Sequence, residues 1–266
     1  MSINPWLREY RPLSVAHRGD SIAYPENTLE AYRKAIELGV DMIECDVNIT
    51  RDGKLVMMHD VTLDRTTSGS GRVSAATWDE IQQLDAGGKF KPEFAGVRVP
   101  LAEETLLLYK EAGILSCFEV KGADGDESDR IALGLVDLFV KHNMLDTAFM
   151  SSYHHEALLL AKSDCPELLL APERLTDDAP PDPPEAVRQA QLFPAPVLQH
   201  QYTVLTADVV RVLHENEIAV WSWSTTDEAS LLFSLEVGAD ALMGDDVQLM
   251  MQVLDRLRPT EGNRSA

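Results

Sequence analysis

The chain has 266 residues, of which 45% are hydrophobic, so it is long enough to build one large domain with a full core. Its 23 basic and 44 acidic residues give a formal net charge of -21, and that field repels nucleic acid and anionic membranes. A nucleic-acid partner is therefore not expected. A phosphodiester substrate would need a local positive charge, such as a bound divalent cation.

Short apolar or β-branched runs alternate with amphipathic helical patterns along almost the whole chain, which is typical of βα units on a parallel sheet. Helix-start signals lie between them: Asn27 with Glu30 predicts one cap, and Thr77 with Glu80 predicts a capping box. The eight predicted strands are residues 13–16, 42–47, 115–120, 148–151, 168–170, 197–198, 218–223 and 241–243. Eight such units in one chain of this length predict an α/β fold, the (βα)8 TIM barrel.

Two segments interrupt the regular spacing of these units. Residues 60–100, rich in Thr, Gly and Ser, follow a short extended run at 55–58 and are predicted to form an inserted subdomain after strand two. Residues 177–184, with the sequence DDAPPDPP, are predicted to be a surface loop. We find no internal repeat and expect no second core, so residues 1–266 are interpreted as one barrel domain.

The cysteines and the N-terminal residues bear on where the protein functions. Cys45, Cys117 and Cys165 are odd in number and lack the spacing of a metal site, which predicts free thiols in a reducing compartment. Cys45 is expected to face outward from the barrel and Cys117 inward. Residues 1–17 show no signal-peptide pattern, and no apolar run reaches the roughly 18 residues of a membrane helix. We therefore expect a cytoplasmic protein without a membrane anchor.

Polar side chains lie near the ends of the first three predicted strands, where a (βα)8 barrel carries its active site. Glu44 and Asp46 share one face of the second strand, and Glu119 and Lys121 share one face of the third. Three carboxylates at one mouth would repel one another, whereas a hard cation such as Mg2+ or Ca2+ accepts them as ligands. Ion pairing with Arg or Lys is the alternative for any one of them, but their joint placement favours a metal site.

His17 ends the first strand, and His59 ends the extended run that follows the second. A single histidine is usually structural, but cleavage of a phosphodiester requires a base and an acid, and imidazole has the most suitable pKa. Two histidines beside a carboxylate site are therefore interpreted as catalytic. The remaining histidines receive no catalytic role: His142, His154, His155, His200 and His214.

Further residues near the strand ends are candidates for substrate binding. Arg18 and Lys121 are predicted to contact phosphate oxygens, with ion pairs to the same carboxylates as the alternative. Trp221 and Trp223 share a face of the seventh predicted strand. Core packing is the default for indoles there, and Trp221 is also a candidate wall of the substrate pocket.

A set of short motifs resembles those of a known family. They are AHRG at 16–19, PENT at 25–28, IECDV at 43–47, HDVTLDRTT at 59–67, LDAG at 84–87, PEFAG at 92–96, FEVK at 118–121, SSY at 151–153 and GAD at 238–240. In this order and over nearly the whole chain, the sequence resembles the bacterial, cytoplasmic glycerophosphodiester phosphodiesterases.

The resemblance implies a role for each matching residue. It implies that Mg2+ or Ca2+ is held by Glu44, Asp46 and Glu119. It also implies that His17 and His59 act as acid and base. The phosphate would be held by Arg18 and Lys121. It also implies a small subdomain after strand two, release of glycerol 3-phosphate and an alcohol, and the glycerol 2-hydroxyl as first nucleophile. We assign His59 as base and His17 as acid, with the reverse assignment as the alternative.

Some positions depart from the family pattern. Cys117 replaces a common Asn, residues 221–224 read WSWS instead of WTVN, and Gly244-Asp245 replaces Thr-Asp. These positions line the expected pocket, so the head group is the open question. Two other functions stay open: a lysophospholipase D or sphingomyelinase D on the same barrel, and a barrel that binds phosphodiesters without turnover.

Overall fold

The computed structural model describes residues 4–8, 11–174, 182–193 and 195–256. Its strands are β1 (Leu13–His17), β2 (Met42–Ile49), β3 (Leu55–Met57), β4 (Leu115–Val120), β5 (Ala148–Ser151), β6 (Leu169–Leu170), β7 (Val197–Gln201), β8 (Ala219–Thr225) and β9 (Ala241–Gly244). All except β3 pair in parallel, in the order β6-β5-β4-β2-β1-β9-β8-β7. A parallel bridge between Glu173 and Gln199 joins the two ends of this order. The result is a nearly closed eight-stranded barrel, which confirms the predicted fold.

Helices follow most strands and cover the outside of the barrel. They are α1 (Leu29–Glu37), α2 (Trp78–Ile81), α3 (Ala102–Ala112), α4 (Gly125–His142), α5 (His155–Asp164), α6 (Pro183–Gln191), α7 (Ala207–Glu215), α8 (Glu228–Glu236) and α9 (Val247–Asp255). Among the helices that the structure describes, none combines the length and the apolar character needed to cross a bilayer.

Alternation along the strands separates two layers of packing. On β4, Cys117 faces the barrel interior, where it belongs to a buried cluster with Phe149 and Trp221. Phe118, the next residue, faces outward and packs against Phe139 of α4. Cys45 also lies in the outer layer, so the expected faces of the two cysteines are confirmed. All three cysteines are free and buried.

The segment after β2 builds a small apolar cluster of its own. β3 pairs antiparallel with β2, and the chain then forms short turns and α2 before it returns at α3. The buried residues of this cluster are Val56, Met58, Leu63, Val73, Ile81, Ala86 and Val99. This is a small satellite cluster beside the main core, and the interpretation of the chain as one barrel domain with a subdomain at 60–100 stays a prediction.

Two predicted local features differ from the structure. In the predicted loop 177–184, residues 177–181 lie outside the described residues, but Pro183 and Pro184 begin α6. Proline suits the first turn of a helix because its missing N–H has no partner there in any case. The cap of α1 is Thr28, whose side chain accepts a hydrogen bond from the Ala31 N–H. Asn27 instead has a φ of 57° and turns its side chain toward β2.

Candidate active site

A cavity of about 340 Å3 opens at the carboxyl ends of the barrel strands. Six of its lining residues were predicted from the sequence to bind metal or substrate or to act in catalysis: His17, Arg18, Glu44, His59, Glu119 and Lys121. The others are Tyr153, Glu173, Gln199, Trp223, Ser224 and Met243. The first six come from four chain segments. Parallel pairing of β1, β2 and β4 brings three of these segments to one end of the barrel, and antiparallel pairing of β3 with β2 brings His59 there.

Three carboxylates converge at this cavity, and two of them, Glu44 and Glu119, line it. One oxygen from each of Glu44, Asp46 and Glu119 lies within 4.8 Å of the others, and all three residues are buried. The register explains this proximity, because Asp46 pairs with Glu119 across β2 and β4. Ligand oxygens lie about 2.3–2.6 Å from Ca2+ and about 2.0–2.1 Å from Mg2+, so these separations suit a single hard cation. Glu44 Oε1 is buried without a hydrogen-bond partner among the described residues, which also fits a ligand atom.

The electrostatic balance differs among the three carboxyl groups. Burial raises the pKa of Glu44 well above its ordinary value, and the charges of Asp46 and Glu119 raise it further. Burial also raises the pKa of Glu119, although the charge of Lys121 opposes this. For Asp46, the charges of Lys121 and Arg18 outweigh the effect of burial and hold its pKa far below normal. A bound cation would stabilise the ionised forms of all three.

The two predicted phosphate-binding cations lie at this cluster. Lys121 Nζ is 2.6 Å from Glu119 Oε1 and 3.2 Å from Asp46 Oδ1. Arg18 Nε is 3.0 Å from Asp46 Oδ2, and its Nη1 donates to Glu26 Oε1 at 3.1 Å. The structure therefore places both cations where the sequence predicts them, paired with carboxylates and lining the cavity.

Asn27 fixes the central carboxylate. Its Nδ2 donates to Asp46 Oδ2 at 2.7 Å, and its Oδ1 accepts from the Asp46 backbone N–H at 3.1 Å. The hydroxyl of fully buried Tyr32 donates to the same Oδ1 at 2.9 Å. The rotamer of Asp46 is thus set by hydrogen bonds from outside the cavity, which pre-orients one candidate ligand.

Each predicted catalytic histidine has a carboxylate at Nδ1. His17 Nδ1 lies 2.6 Å from Asp245 Oδ1, which also accepts from Ser21 Oγ at 3.1 Å. His59 Nδ1 lies 2.8 Å from Asp60 Oδ1. A carboxylate at Nδ1 favours the tautomer with a proton on that nitrogen and leaves Nε2 for proton transfer. His17 Nε2 lies 3.9 Å from Glu44 Oε2, beside the candidate metal site.

A chain of ion pairs supports the second histidine. Arg65 donates from Nε to Asp60 Oδ2 at 2.8 Å and, with its two terminal nitrogens, to both oxygens of Glu26. Glu26 also pairs with Arg18. The hydrogen bond from Arg65 is the main reason that the pKa of Asp60 falls to about 2. Asp60 is therefore ionised at neutral pH, when it can accept the Nδ1 proton of His59.

The two tryptophans of β8 have different places. Trp221 is fully buried and packs edge-on against Phe149, with ring centroids 4.8 Å apart, so the prediction that it contacts substrate is wrong. Trp223, two residues nearer the carboxyl end of the strand, lines the cavity instead. Both side chains point to the same face of β8. Their position along the strand therefore determines that Trp221 lies in the core and Trp223 in the cavity wall.

Sequence reasoning missed two carboxylates of the site. It did not identify Asp245 as the partner of His17, and it did not consider Glu173, which lines the cavity and is 4% exposed. Both follow short predicted strands, so the strand-end rule that found Glu44 could have found them. None of the five other histidines, all of which are described, lines the cavity.

Comparisons with known proteins agree with this geometry. Residues 17–249 match the model of the "Glycerophosphoryl diester phosphodiesterase family". A glycerophosphodiester phosphodiesterase from Caldanaerobacter subterraneus is 32% identical over 92% of this chain and 98% of its own length. One from Bacillus altitudinis is 29% identical over 91% of this chain and 98% of its own.

A solved structure shares both the fold and part of the sequence. The phosphodiesterase of Oleispira antarctica, in complex with its product sn-glycerol-3-phosphate, superposes with a TM-score of 0.84 and 27% identity. The match covers 92% of this chain and 97% of that one. A family match over most of the chain, together with a relative above 30% identity, leads to one conclusion. The chain belongs to the glycerophosphoryl diester phosphodiesterase family.

Proposed function

We propose that this protein hydrolyses glycerophosphodiesters to glycerol 3-phosphate and an alcohol, with a divalent cation and two histidines. The observation that carries the proposal is the cluster of Glu44, Asp46 and Glu119 in one cavity with His17 and His59. Family membership and the product complex of the Oleispira antarctica relative support the substrate class.

Glu44, Asp46 and Glu119 would hold the cation, and their all-oxygen donor set favours Mg2+ or Ca2+. When bound, such a cation supplies Lewis-acid polarisation of a phosphoryl oxygen and lowers the pKa of a coordinated hydroxyl. Burial and the neighbouring carboxylates raise the pKa of Glu44 and Glu119, and a bound cation would favour their ionised forms. Arg18 and Lys121 line the same cavity and would bind the remaining phosphate oxygens.

The histidines divide the proton transfers. Burial lowers the pKa of His59, although the charge of Asp46 opposes this, so the neutral imidazole is favoured at pH 7. Neutral His59 would accept the proton of the glycerol 2-hydroxyl as its oxygen bonds to phosphorus. His17, whose Nδ1 is held by Asp245, would donate a proton from Nε2 to the alcohol oxygen as the bond of that oxygen to phosphorus breaks. Water would then open the resulting cyclic phosphate, with the two roles exchanged.

The decisive experiment measures glycerol 3-phosphate released from glycerophosphocholine by chelated protein to which Mg2+ or Ca2+ is returned. We expect release to depend on the cation and to fall at least about 10³-fold in His17→Ala and His59→Ala. His142→Ala, at a histidine outside the cavity, is the control and should keep wild-type activity. Cation-independent release, or full activity in either catalytic variant, would contradict the proposal.

A lipid substrate is the outcome that would replace this function. Lysophosphatidylcholine and sphingomyelin carry the same phosphodiester but also an apolar chain that must be bound. If either is hydrolysed with a higher kcat/KM than glycerophosphocholine, the enzyme is a lipid phosphodiesterase on the same barrel. We further propose a cytoplasmic location, which the three free cysteines support.

A further inference from the structure

Glu173 stands apart from the groups that the proposed reaction uses. It lies three residues after the end of β6, and its side chain lines the cavity. In the strand order, β6 lies across the barrel from β1, which carries His17. It is 4% exposed, and its Oε2 has no hydrogen-bond partner in the part of the chain that the structure describes. A buried carboxylate oxygen without a partner is costly, so it indicates a ligand that supplies one.

The backbone around Glu173 is firmly held. Its carbonyl accepts a hydrogen bond from His155 Nε2 at 2.7 Å. On either side of it, the Gln199 N–H donates to the Pro172 carbonyl and the Arg174 N–H donates to the Gln199 carbonyl, both at 2.9 Å. These bonds close the barrel between β6 and β7. The side chain therefore projects into the cavity from a rigid support, as a binding residue requires.

The cations of the cavity are already committed elsewhere. Lys121 lies within 3.2 Å of Asp46 and within 2.6 Å of Glu119, and Arg18 pairs with Asp46 and Glu26. Burial and, second, the charge of Glu119 raise the pKa of Glu173, although the charge of Lys121 opposes this.

Two aromatic side chains line the same cavity as this carboxylate. Trp223 and Tyr153 meet edge to face, with ring centroids 6.2 Å apart and planes at 89°. Burial and, second, the charge of Glu173 raise the pKa of the Tyr153 hydroxyl. A carboxylate together with Trp and Tyr rings is the combination that binds an organic ammonium ion.

Charge balance points to the same ligand. A phosphodiester adds one negative charge to a cavity that Glu173 already lines. A positively charged head group beside Glu173 would compensate this charge, whereas a neutral polyol would not.

We propose that Glu173, with Trp223 and Tyr153, forms a subsite for the ammonium group of the substrate's alcohol moiety. This inference rests on the proposed phosphodiesterase function and goes beyond it, because it makes Glu173 the residue that selects zwitterionic over anionic diesters. Tyr153 is 40% exposed and lies at the mouth, so the subsite can be reached from solvent.

The test compares three substrates that share glycerol phosphate and differ in the head group: glycerophosphocholine, glycerophosphoethanolamine and glycerophosphoglycerol. Glu173→Gln keeps the size of the side chain and removes its charge. We expect kcat/KM for the two ammonium substrates to fall about 10- to 100-fold, while the value for glycerophosphoglycerol changes less than about 3-fold. Glu173→Asp, which retains the charge, should retain part of the preference.

Choline and ethanolamine provide a second readout that does not depend on turnover of an ammonium substrate. Each should inhibit glycerophosphoglycerol hydrolysis competitively in the wild type and about 10-fold more weakly in Glu173→Gln. Glu103→Gln, at an exposed carboxylate outside the cavity, is the matched control and should leave every value unchanged.

Two results would overturn the subsite. An equal loss for all three substrates would place Glu173 at the shared glycerol phosphate, and unchanged ratios would show that it binds no head group. Either result leaves the proposed function intact, because wild-type hydrolysis of the three diesters tests that function separately.

Discussion

Asp245 Oδ1 lies 2.6 Å from His17 Nδ1, although the two residues are 228 positions apart in the chain. They come together because β1 pairs in parallel with β9 and Asp245 directly follows β9. The hydrogen bond between His17 and Asp245 lowers the pKa of Asp245 despite the opposing effect of burial. Asp245 is therefore ionised at neutral pH, when it can accept the Nδ1 proton of His17 and orient the imidazole.

Asp245→Asn should lower kcat by about 10²- to 10³-fold with little change in KM, because an amide does not hold the tautomer of His17 that is protonated at Nδ1. Thermal unfolding should stay at the wild-type temperature, which a purely structural role of Asp245 would not allow. Asp208→Asn, at an exposed carboxylate of α7, is the control. A wild-type kcat in Asp245→Asn would remove Asp245 from the mechanism.

Glu44→Gln separates the two effects of the carboxylate cluster. Without a cation, the variant should be as stable as the wild type or more so, because burial and the charges of Asp46 and Glu119 disfavour an ionised Glu44 and the amide carries no charge. With saturating Mg2+ or Ca2+, the wild type should gain thermal stability, by about 2.7 kcal/mol at 100 times Kd, and the variant should gain little. Thermal unfolding with and without the ion measures both. An equal gain in the two proteins would place the cation elsewhere.

His59 should determine the acid side of the pH profile. Burial lowers its pKa below 6.5, so kcat/KM measured at saturating cation should fall only when the pH drops below 6.5. The free energy of unfolding should also fall at acid pH, because the unfolded chain binds the proton more readily than the folded protein does. This contribution is full above pH 6.5 and is lost as the pH falls through the pKa of His59 in the folded protein. His59→Gln should lack this part of the stability profile, and NMR titration of the wild-type imidazole measures the pKa directly.

The tryptophans of β8 offer a matched pair. Trp221→Ala should reduce the free energy of unfolding by about 3–5 kcal/mol, because it opens a cavity in the barrel interior. Trp223→Ala should cost less stability and should act mainly on substrate binding, since its side chain lines the cavity. Denaturant unfolding measures the stability of both variants, and steady-state kinetics measures their substrate binding. Similar losses of stability in the two would contradict the distinction between core and wall.

Gly19 and Gly39 both have positive φ angles, of 86° and 80°, but different surroundings. A Cβ at Gly19 would lie 2.7 Å from backbone and side-chain atoms of Ala31, whereas a Cβ at Gly39 meets nothing within 4 Å. Gly39→Ala should cost about 1–2 kcal/mol from the left-handed backbone alone. Gly19→Ala should cost about 1–3 kcal/mol more, from overpacking, and should also lower activity, because Gly19 follows Arg18. Equal losses in the two variants would show that the contact with Ala31 is relieved without cost.

The sequence by itself predicted the barrel fold and the main groups of its candidate active site. Periodicity and capping signals are local, so alternating strands and helices could be predicted, and the strand-end rule then placed Glu44, Asp46, Glu119, His17 and His59 together. The prediction for Trp221 failed because the local pattern does not show how deep a residue lies in the barrel. The side chains of Trp221 and Trp223 point to the same face of β8, and only the three-dimensional structure shows that Trp221 is the buried one.

The tertiary structure alone decided the partners of these groups. Asp245 reaches His17 because the last strand pairs with the first, and Glu173 enters the cavity because β6 closes on β7. Such contacts join residues far apart in sequence, and no local propensity encodes them. They depend on strand order and register, which are fixed only when the whole chain packs around one core.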